Sequence, residues 1–266
     1  LVEPSLDPVV ERAAHELGQA VITPLPADSP GPAFGPHEPG EGQAPAAKLV
    51  VGEGGALLQG TTGDATLDAD LRAAASDVLE RGRSRTVEAG GRSWFVEAFP
   101  RQPRLVIVGA VQVAMSLDAI ARTLGYRTVV IDGRATFATR ERFPGADELL
   151  VGWPDELADD IGLGPRDAVV VLTHDVKFDE PAIVTALARG CRYVGAVGSR
   201  KTQADRRARL LEAGVRAADL DRLRGPIGLD LGGREPAETA LSIIAEVVAA
   251  RFGGTGVPMR ERAATG

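Results

Sequence analysis

The residues equipped for chemistry fall into four short segments, three of them placed where an apolar run gives way to polar residues. Thr173-His174-Asp175-Val176-Lys177-Phe178-Asp179 follows the apolar stretch Ala168–Leu172. An imidazole has a reference pKa of about 6.5, so His174 can serve as acid or base near neutrality. Asp175 can orient it or hold a cation, and Lys177 can meet a phosphate. A purely local reading also exists, in which Thr173, Asp175 and Asp179 cap the following helix. Gly195-Ala196-Val197-Gly198-Ser199-Arg200-Lys201 is the second segment. Gly198 and Ser199 resemble an anion-binding turn with Ser199 as helix cap, and Arg200 can grip a phosphate through two parallel N–H donors. Its local reading is a capped helix whose basic residues, Arg206, Arg207 and Arg209 among them, mostly face water.

The third segment is Val108-Gly109-Ala110-Val111-Gln112-Val113-Ala114. A strand-to-helix turn of this kind offers free amides and a positive dipole end to an anion. Asp132 closes the next strand pattern, where an acidic residue holds a ribose hydroxyl in dinucleotide folds. Against Gly-x-Gly-x-x-Gly, Gly109 fits the first glycine and Ala114 is acceptable as the third. Val111 stands at the second, where its branched side chain crowds a pyrophosphate. The fourth segment, Gly225-Pro226-Ile227-Gly228-Leu229-Asp230-Leu231-Gly232-Gly233-Arg234-Glu235-Pro236, sets Asp230 among glycines. It reads equally as a backbone wrapped around a ligand or as a tight connection into the last helix. Cys191, beside Arg192, reads as a packing residue. His15 and His37 lack metal-ligand spacing, so no metal site is expected. Trp94 and Trp153 read as packing residues rather than stacking platforms.

The elements that must hold these segments alternate strand and helix. Strand patterns lie at Leu105–Val108, Thr128–Ile131, Glu148–Val151, Ala168–Leu172 and Tyr193–Ala196. Helical patterns lie at Val113–Leu124, near Pro154–Asp160, and at Pro181–Arg189, Lys201–Ala213 and Glu235–Phe252. Apolar strands separated by helices require a parallel sheet covered on both faces. The fold class expected for residues 104–252 is therefore α/β, a doubly wound Rossmann-like parallel sheet.

Before it, residues 1–100 read as a smaller, partial α+β region. A short helix is expected over Asp7–Gly18, a strand over Ala20–Thr23, and a Pro/Gly-rich loop over 24–47. Two short strands, Lys48–Gly52 and Ala56–Gly60, precede a helix from Thr66 to Arg81 and a hairpin around Gly90-Gly91. Residues 253–266 read as a flexible tail.

Composition narrows the partners. The chain has 266 residues and a net charge of −7, which argues against a general nucleic-acid binder. A single cysteine excludes an internal disulfide and a Cys-rich metal site, and suits a cytoplasmic location. No apolar stretch is long enough to suggest a membrane-spanning helix. The opening Leu1-Val2-Glu3-Pro4 reads as the end of a strand, so an N-terminal portion is expected to be missing or processed away.

Taken in order, several motifs carry a resemblance. They are Asp132-Gly133-Arg134, Phe137-Ala138, Arg142-Phe143-Pro144, Trp153-Pro154, Thr173-His174-Asp175-x-Lys177-Phe178-Asp179, Gly195-Ala196-x-Gly198-Ser199-Arg200, Pro226-Ile227-Gly228-Leu229-Asp230-Leu231-Gly232 and Glu235-Pro236-Ala237-Glu238-Thr239-Ala240. This series resembles the XdhC/CoxI family over roughly 150 residues. The resemblance implies a Rossmann-like C-terminal domain in an accessory protein that matures xanthine or carbon monoxide dehydrogenases. It implies molybdenum cofactor (molybdopterin) as bound ligand, a client that is a molybdenum hydroxylase subunit, a sulfurase as further partner, and a homodimer. Two departures stand out. Gly109-Ala110-Val111-Gln112 replaces the family's Gly-Gly-Gly-His type of turn, and no Gly-Cys-Val-Glu type of motif occurs.

Three functions remain open at this level. The first is a maturation factor holding an anionic pterin phosphate through helix N-termini, Arg200 and Lys177, with His174, Asp175 and Asp230 on the same edge. The second is an NAD(P)-dependent oxidoreductase with His174 as proton donor. The third is an interaction scaffold.

Overall fold

The structure is a computed structural model that describes residues 18–25 and 48–261. Nearly all of the helix expected over Asp7–Gly18 and of the loop expected over 24–47 lies outside the described residues, as does the end of the tail, 262–266. The chain divides into two units, Leu1–Gln102 and Pro103–Gly266.

In the first unit, β1 (Gln19–Pro24), β2 (Leu49–Gly52), β3 (Leu57–Gln59), β4 (Arg85–Ala89) and β5 (Arg92–Phe99) form an antiparallel sheet in the order β3-β2-β1-β5-β4. Helix α1 (Ala65–Arg81) packs on it. Asp64 begins α1 by accepting hydrogen bonds from the amides of Thr66 and Leu67, and Gly82 in a left-handed conformation ends it. Leu71, Ala75, Val78 and Leu79 recur at helical spacing and close the core with Ile22, Leu49, Val51, Trp94 and Val96.

The second unit is a six-stranded sheet in which every pair is parallel. Its strands are β6 (Arg104–Val108), β7 (Arg127–Asp132), β8 (Glu148–Val151), β9 (Ala168–Val171), β10 (Tyr193–Ala196) and β11 (Leu223–Arg224), in the order β11-β10-β9-β6-β7-β8. Numbered within the unit this is 3-2-1-4-5-6 read from the β8 side, the Rossmann order. The helices are α2 (Gln112–Thr123), α3 (Val176–Ala188), α4 (Arg200–Glu212), the short α5 (Ala217–Leu220) and α6 (Pro236–Phe252).

The strands are apolar on both faces because both are covered. Leu105 and Ile107 pack on the side of α2 and α6, with Leu117, Ile243 and Ile244. Val106 and Val108 alternate to the other side, against Phe178, Ile183 and Leu210 of α3 and α4. Burying each of these apolar side chains is favourable by about 1.5–3 kcal/mol.

Two helical expectations are corrected by the structure. Residues 154–160 form turns rather than a helix. Leu157 and Ile161 each close a single turn, to the carbonyls of Trp153 and Leu157, and Gly162 follows before a helix can propagate. Helix α3 begins at Val176, five residues before Pro181, where the sequence pattern placed its start. The Asp175 carboxylate caps it by accepting from the Lys177 amide at 3.0 Å. Burial of Phe178, Ala182 and Ile183 holds the first turns together, so the proline sits inside the helix without ending it. Strand β11 and helix α5 are too short to leave a periodic signal.

Candidate functional site

Every loop that carries a candidate residue leaves the same edge of the parallel sheet. Residues just past the strands are stitched to the last turn of a neighbouring strand. Leu172 donates to the Val108 carbonyl at 2.8 Å, Val197 to Val171 at 3.0 Å, Gly109 to Ile131 at 2.8 Å and Ile227 to Ala196 at 3.1 Å. The β6–α2, β7–β8, β9–α3 and β10–α4 loops and the segment after β11 therefore lie side by side at the C-terminal ends of the strands. The strand order reverses between β6 and β9. In open α/β sheets this reversal leaves a crevice in which ligands bind.

Gly109 and Thr173 line that crevice from opposite sides. Gly109 has φ +103°, and a Cβ there would overlap the Thr173 side-chain methyl. Helix α2 starts immediately after it with Val111 as N-cap and no side-chain cap. Val111 itself packs against the core under α2. Helices α3 and α4 start at the same edge, capped by Asp175 and by Ser199, whose hydroxyl accepts from the Thr202 amide at 3.1 Å. Gly198 has φ +132°, and a Cβ there would stand 2.9 Å from the Thr202 methyl. Three helices of 12 or 13 residues thus point their positive ends at one strand edge.

His174, Asp175, Lys177, Ser199, Arg200 and Asp230 are all exposed. The side chains of His174, Lys177, Arg200 and Asp230 make no hydrogen bond or ion pair among the described residues. Asp132 differs from them: it is buried, and both its oxygens are engaged. Oδ2 accepts from the Ala110 amide at 2.8 Å and from Arg134 Nη2 at 3.1 Å. Oδ1 accepts from the Arg134 amide at 3.0 Å and from Arg134 Nε at 2.9 Å. Burial pushes its pKa up, but the Arg134 and Ala110 hydrogen bonds outweigh this and hold it below the usual carboxylate value. With about four acceptor positions filled, a ribose diol at Asp132 would have to displace Arg134 or the Ala110 amide. The residues present at this turn therefore fit a dinucleotide poorly.

Three groupings were not assembled by reasoning on the sequence. Arg134 and Arg142 both lie against the ring of Phe137, at 4.1 Å and 5.3 Å from its centroid. Arg142 also donates to the Ala110 carbonyl at 2.7 Å, tying the β7–β8 loop to the β6–α2 turn. Their signal was the Arg-x-x-Phe spacing within the family motifs, which by itself does not reveal what the side chains touch.

The second grouping lies beneath the loops. Arg206, expected to share a largely solvated helix face, is 3% exposed and pairs at 3.5 Å with Asp179, which is 1% exposed. Arg206 also donates to Gln203 Oε1 at 2.7 Å and to the Val197 carbonyl at 3.3 Å. Asp179 accepts from the Thr173 hydroxyl. Burial raises the Asp179 pKa, opposed by the Thr173 hydrogen bond and by the Arg206 and His174 charges. This pair joins the β9–α3 and β10–α4 loops from below.

The third grouping concerns the tryptophans. Trp94 is 4% exposed and its indole nitrogen donates to the Ala89 carbonyl, as a packing residue should. Trp153 is 43% exposed, just past β8, with its ring 5.5 Å from that of Phe178. It is not a core residue.

The segment after β11 is anchored to α6. Glu246 accepts from the Gly228 amide and from the Tyr193 hydroxyl, both at 2.7 Å. Ser242 donates to the Leu229 carbonyl, and Leu229 donates back to the Ser242 carbonyl. Asp230 follows directly. Cys191 is buried far from this edge, before β10, and burial with the nearby Asp167 charge pushes its thiol up to about 12. Among the described residues no group of three or more His, Cys, Asp and Glu side chains is placed to hold a metal ion, and no helix is long and apolar enough to cross a membrane.

Residues 105–247 match the XdhC Rossmann domain family. The chain belongs to that family. As an XdhC Rossmann domain it is 31% identical over 157 residues to a probable xanthine dehydrogenase subunit of Bacillus subtilis, covering 59% of this chain and 46% of that one. It is 33% identical over 149 residues to the molybdenum cofactor insertion chaperone PaoD of Escherichia coli, covering 56% of this chain and 40% of that one. The matches thus span less than half the length of these relatives. A solved structure, a xanthine dehydrogenase from Bacillus halodurans, shares the fold over 92% of this chain and 94% of its own, with TM-score 0.52 and 18% identity.

Proposed function

We propose that this XdhC domain is an accessory factor for a molybdenum hydroxylase and binds the anionic molybdenum cofactor at the C-terminal edge of its parallel sheet. The observation that carries this reading is the convergence of three helix N-termini on the switch-point crevice, with the cations Arg200 and Lys177, unpaired among the described residues, beside them. Helix starts stabilise negative charge, and a guanidinium adds paired donors for phosphate oxygens. The names of the relatives support the choice of cofactor and client. Among the described residues the crevice holds no assembled nucleophile, base and oxyanion set, which suits binding and delivery rather than turnover. His174 and Asp230 line the same edge and contact the ligand's polar groups. NAD(P) is disfavoured because Asp132 is occupied by Arg134 and Ala110, and because Val111 stands where the second glycine of a dinucleotide turn would be.

The test is to express the chain in a host that makes the cofactor, purify it, and measure pterin fluorescence after oxidation together with molybdenum content. Wild-type protein should carry stoichiometric pterin. An Arg200→Ala variant should bind about tenfold to a hundredfold more weakly, the loss of one charged hydrogen-bonding group. Wild-type protein that carries no pterin, even when incubated with the released cofactor, overturns the reading.

A further inference from the structure

We propose that Trp153 is the stacking seat for the planar heterocycle of the ligand held at this edge, the heterocycle being a nitrogen-rich fused ring of the pterin or guanine type. The inference rests on the cofactor-binding reading above and adds to it a residue and a direction.

The chain is poor in aromatics, at 4%, and its two tryptophans differ sharply. Trp94 is enclosed and its N–H is used. Trp153 is 43% exposed, and its indole N–H has no partner among the described residues. An exposed indole on a loop is often mobile, but this one is braced. Its ring packs at 5.5 Å and 57° against Phe178, which is buried in the first turn of α3. Gly133, on the neighbouring loop, lies against the Phe178 ring, where a Cβ would stand in ordinary contact at 3.5 Å. The loop itself is held at its base, where Gly152 donates to the Asp132 carbonyl at 3.2 Å.

Position within the crevice gives the direction. Trp153 follows β8, two strands from the reversal, on the side where β7 delivers Arg134. Arg134 is fixed by Asp132 and by the Phe137 ring, and the Asp175 carboxylate at the start of α3 contributes to its electrostatic environment. A heterocycle lying on Trp153 would therefore rest beside the first turn of α3, near a guanidinium and a carboxylate that can meet ring carbonyl and amino groups. Its anionic tail would run towards the helix starts at the reversal. Val111 packs down against the core beneath α2, and Asp132 is taken up by Arg134 and the Ala110 amide, so the β6–α2 turn offers a dinucleotide ribose no free acceptor. Stacking on an aromatic platform contributes about 1–3 kcal/mol per base, enough to change affinity about tenfold or more.

The experiment uses the whole 266-residue chain. Tryptophan emission is excited at the red edge of its absorption and titrated with pterin, with guanosine monophosphate and with inorganic pyrophosphate. Affinities are measured in parallel by equilibrium dialysis. Pterin and guanosine monophosphate should quench wild-type emission saturably, and pyrophosphate should not. Trp153→Phe keeps a π-face and should bind pterin within about threefold of wild type. Trp153→Leu keeps the apolar contact with Phe178 but no π-face, and should bind about tenfold more weakly. Trp153→Ala should behave like Trp153→Leu, and should it fail to fold, the leucine variant decides.

If pterin binds and the binding depends on Arg200, yet Trp153→Leu leaves affinity unchanged, stacking is overturned while the cofactor reading stands. If wild type binds no ring-bearing ligand, both fail. Val151 and Val176 are also about half exposed, and a protein partner is the rival occupant of this surface. If Trp153→Leu abolishes capture of a hydroxylase polypeptide but leaves pterin affinity intact, the residue belongs to a protein interface and the proposal is overturned.

Discussion

Gly109 and Thr173 approach so closely across the switch point that a β-carbon on the first would overlap the methyl of the second. Gly109 also has φ +103°, which side chains rarely tolerate. Gly109→Ala therefore meets two penalties, backbone strain and a clash, and should cost about 1–3 kcal/mol in urea unfolding. Thr173→Ser, which deletes only the methyl, should restore part of that loss in the double variant. If Gly109→Ala is as stable as wild type, the close packing of the two loops is wrong.

The Asp179–Arg206 pair is almost wholly buried, so removing one partner leaves an uncompensated charge. Arg206→Met should destabilise by about 3–5 kcal/mol. Asp179→Asn combined with Arg206→Met should recover much of this, because no buried charge is then left alone. A double variant whose loss equals the sum of the Asp179→Asn and Arg206→Met losses would show that the pair is not coupled.

Asp132 makes the fold sensitive to acid. Its folded pKa lies below the unfolded value, so the stabilisation is complete above about pH 4 and fades as pH falls through the folded pKa. Asp179 works in the opposite sense, since its folded pKa is raised. The folded state then takes up that proton first, which favours folding as pH falls towards 4. Asp132→Asn should be less stable than wild type at pH 7, with the gap closing below about pH 4. A gap that stays constant with pH would exclude an ionised Asp132 paired to Arg134.

Glu246 and Ser242 should act as the anchor of the Asp230 segment. Glu246→Gln turns the two charge-assisted bonds, to Gly228 and Tyr193, into weaker neutral ones, and should cost less than the about 1.5–3 kcal/mol that each charged bond contributes when lost outright. In hydrogen exchange, the Gly228 and Leu229 amides should speed up while the amides of β9 do not. Uniform acceleration across both would mean that Glu246 supports global stability only.

Cys191 should be chemically silent in the folded protein. With the thiol buried and pushed up to about 12, almost no thiolate forms at pH 8. An Ellman-type reagent should react only once denaturant is added. Rapid labelling of the native protein would show that Cys191 is accessible.

Several expectations from the sequence rested on local rules and agree with the structure. Ser199 caps α4, the helix expected over Thr66–Arg81 is α1, and the hairpin turns around Gly90-Gly91. Such features depend on residues within one turn of each other. Where the reading failed, distant partners decided. Residues 154–160 have helix-compatible spacing but lie against the sheet as separate turns. Pro181 looked like a helix start, yet Asp175 caps α3 earlier and Phe178 fixes it in the core.

By itself the sequence determined the alternation of strand and helix, the parallel α/β class and the family motifs, because periodicity and turn chemistry are encoded locally. Tertiary structure alone decided the rest. The order β11-β10-β9-β6-β7-β8 places β6 beside β9 and so brings Gly109 to Thr173. It also set which charges are engaged: Asp132 is held by Arg134 and Ala110, and Arg206 is buried against Asp179, while Arg200 and His174 remain open. Gly109 and Thr173 lie far apart in the chain, and no local period records which strand will become whose neighbour.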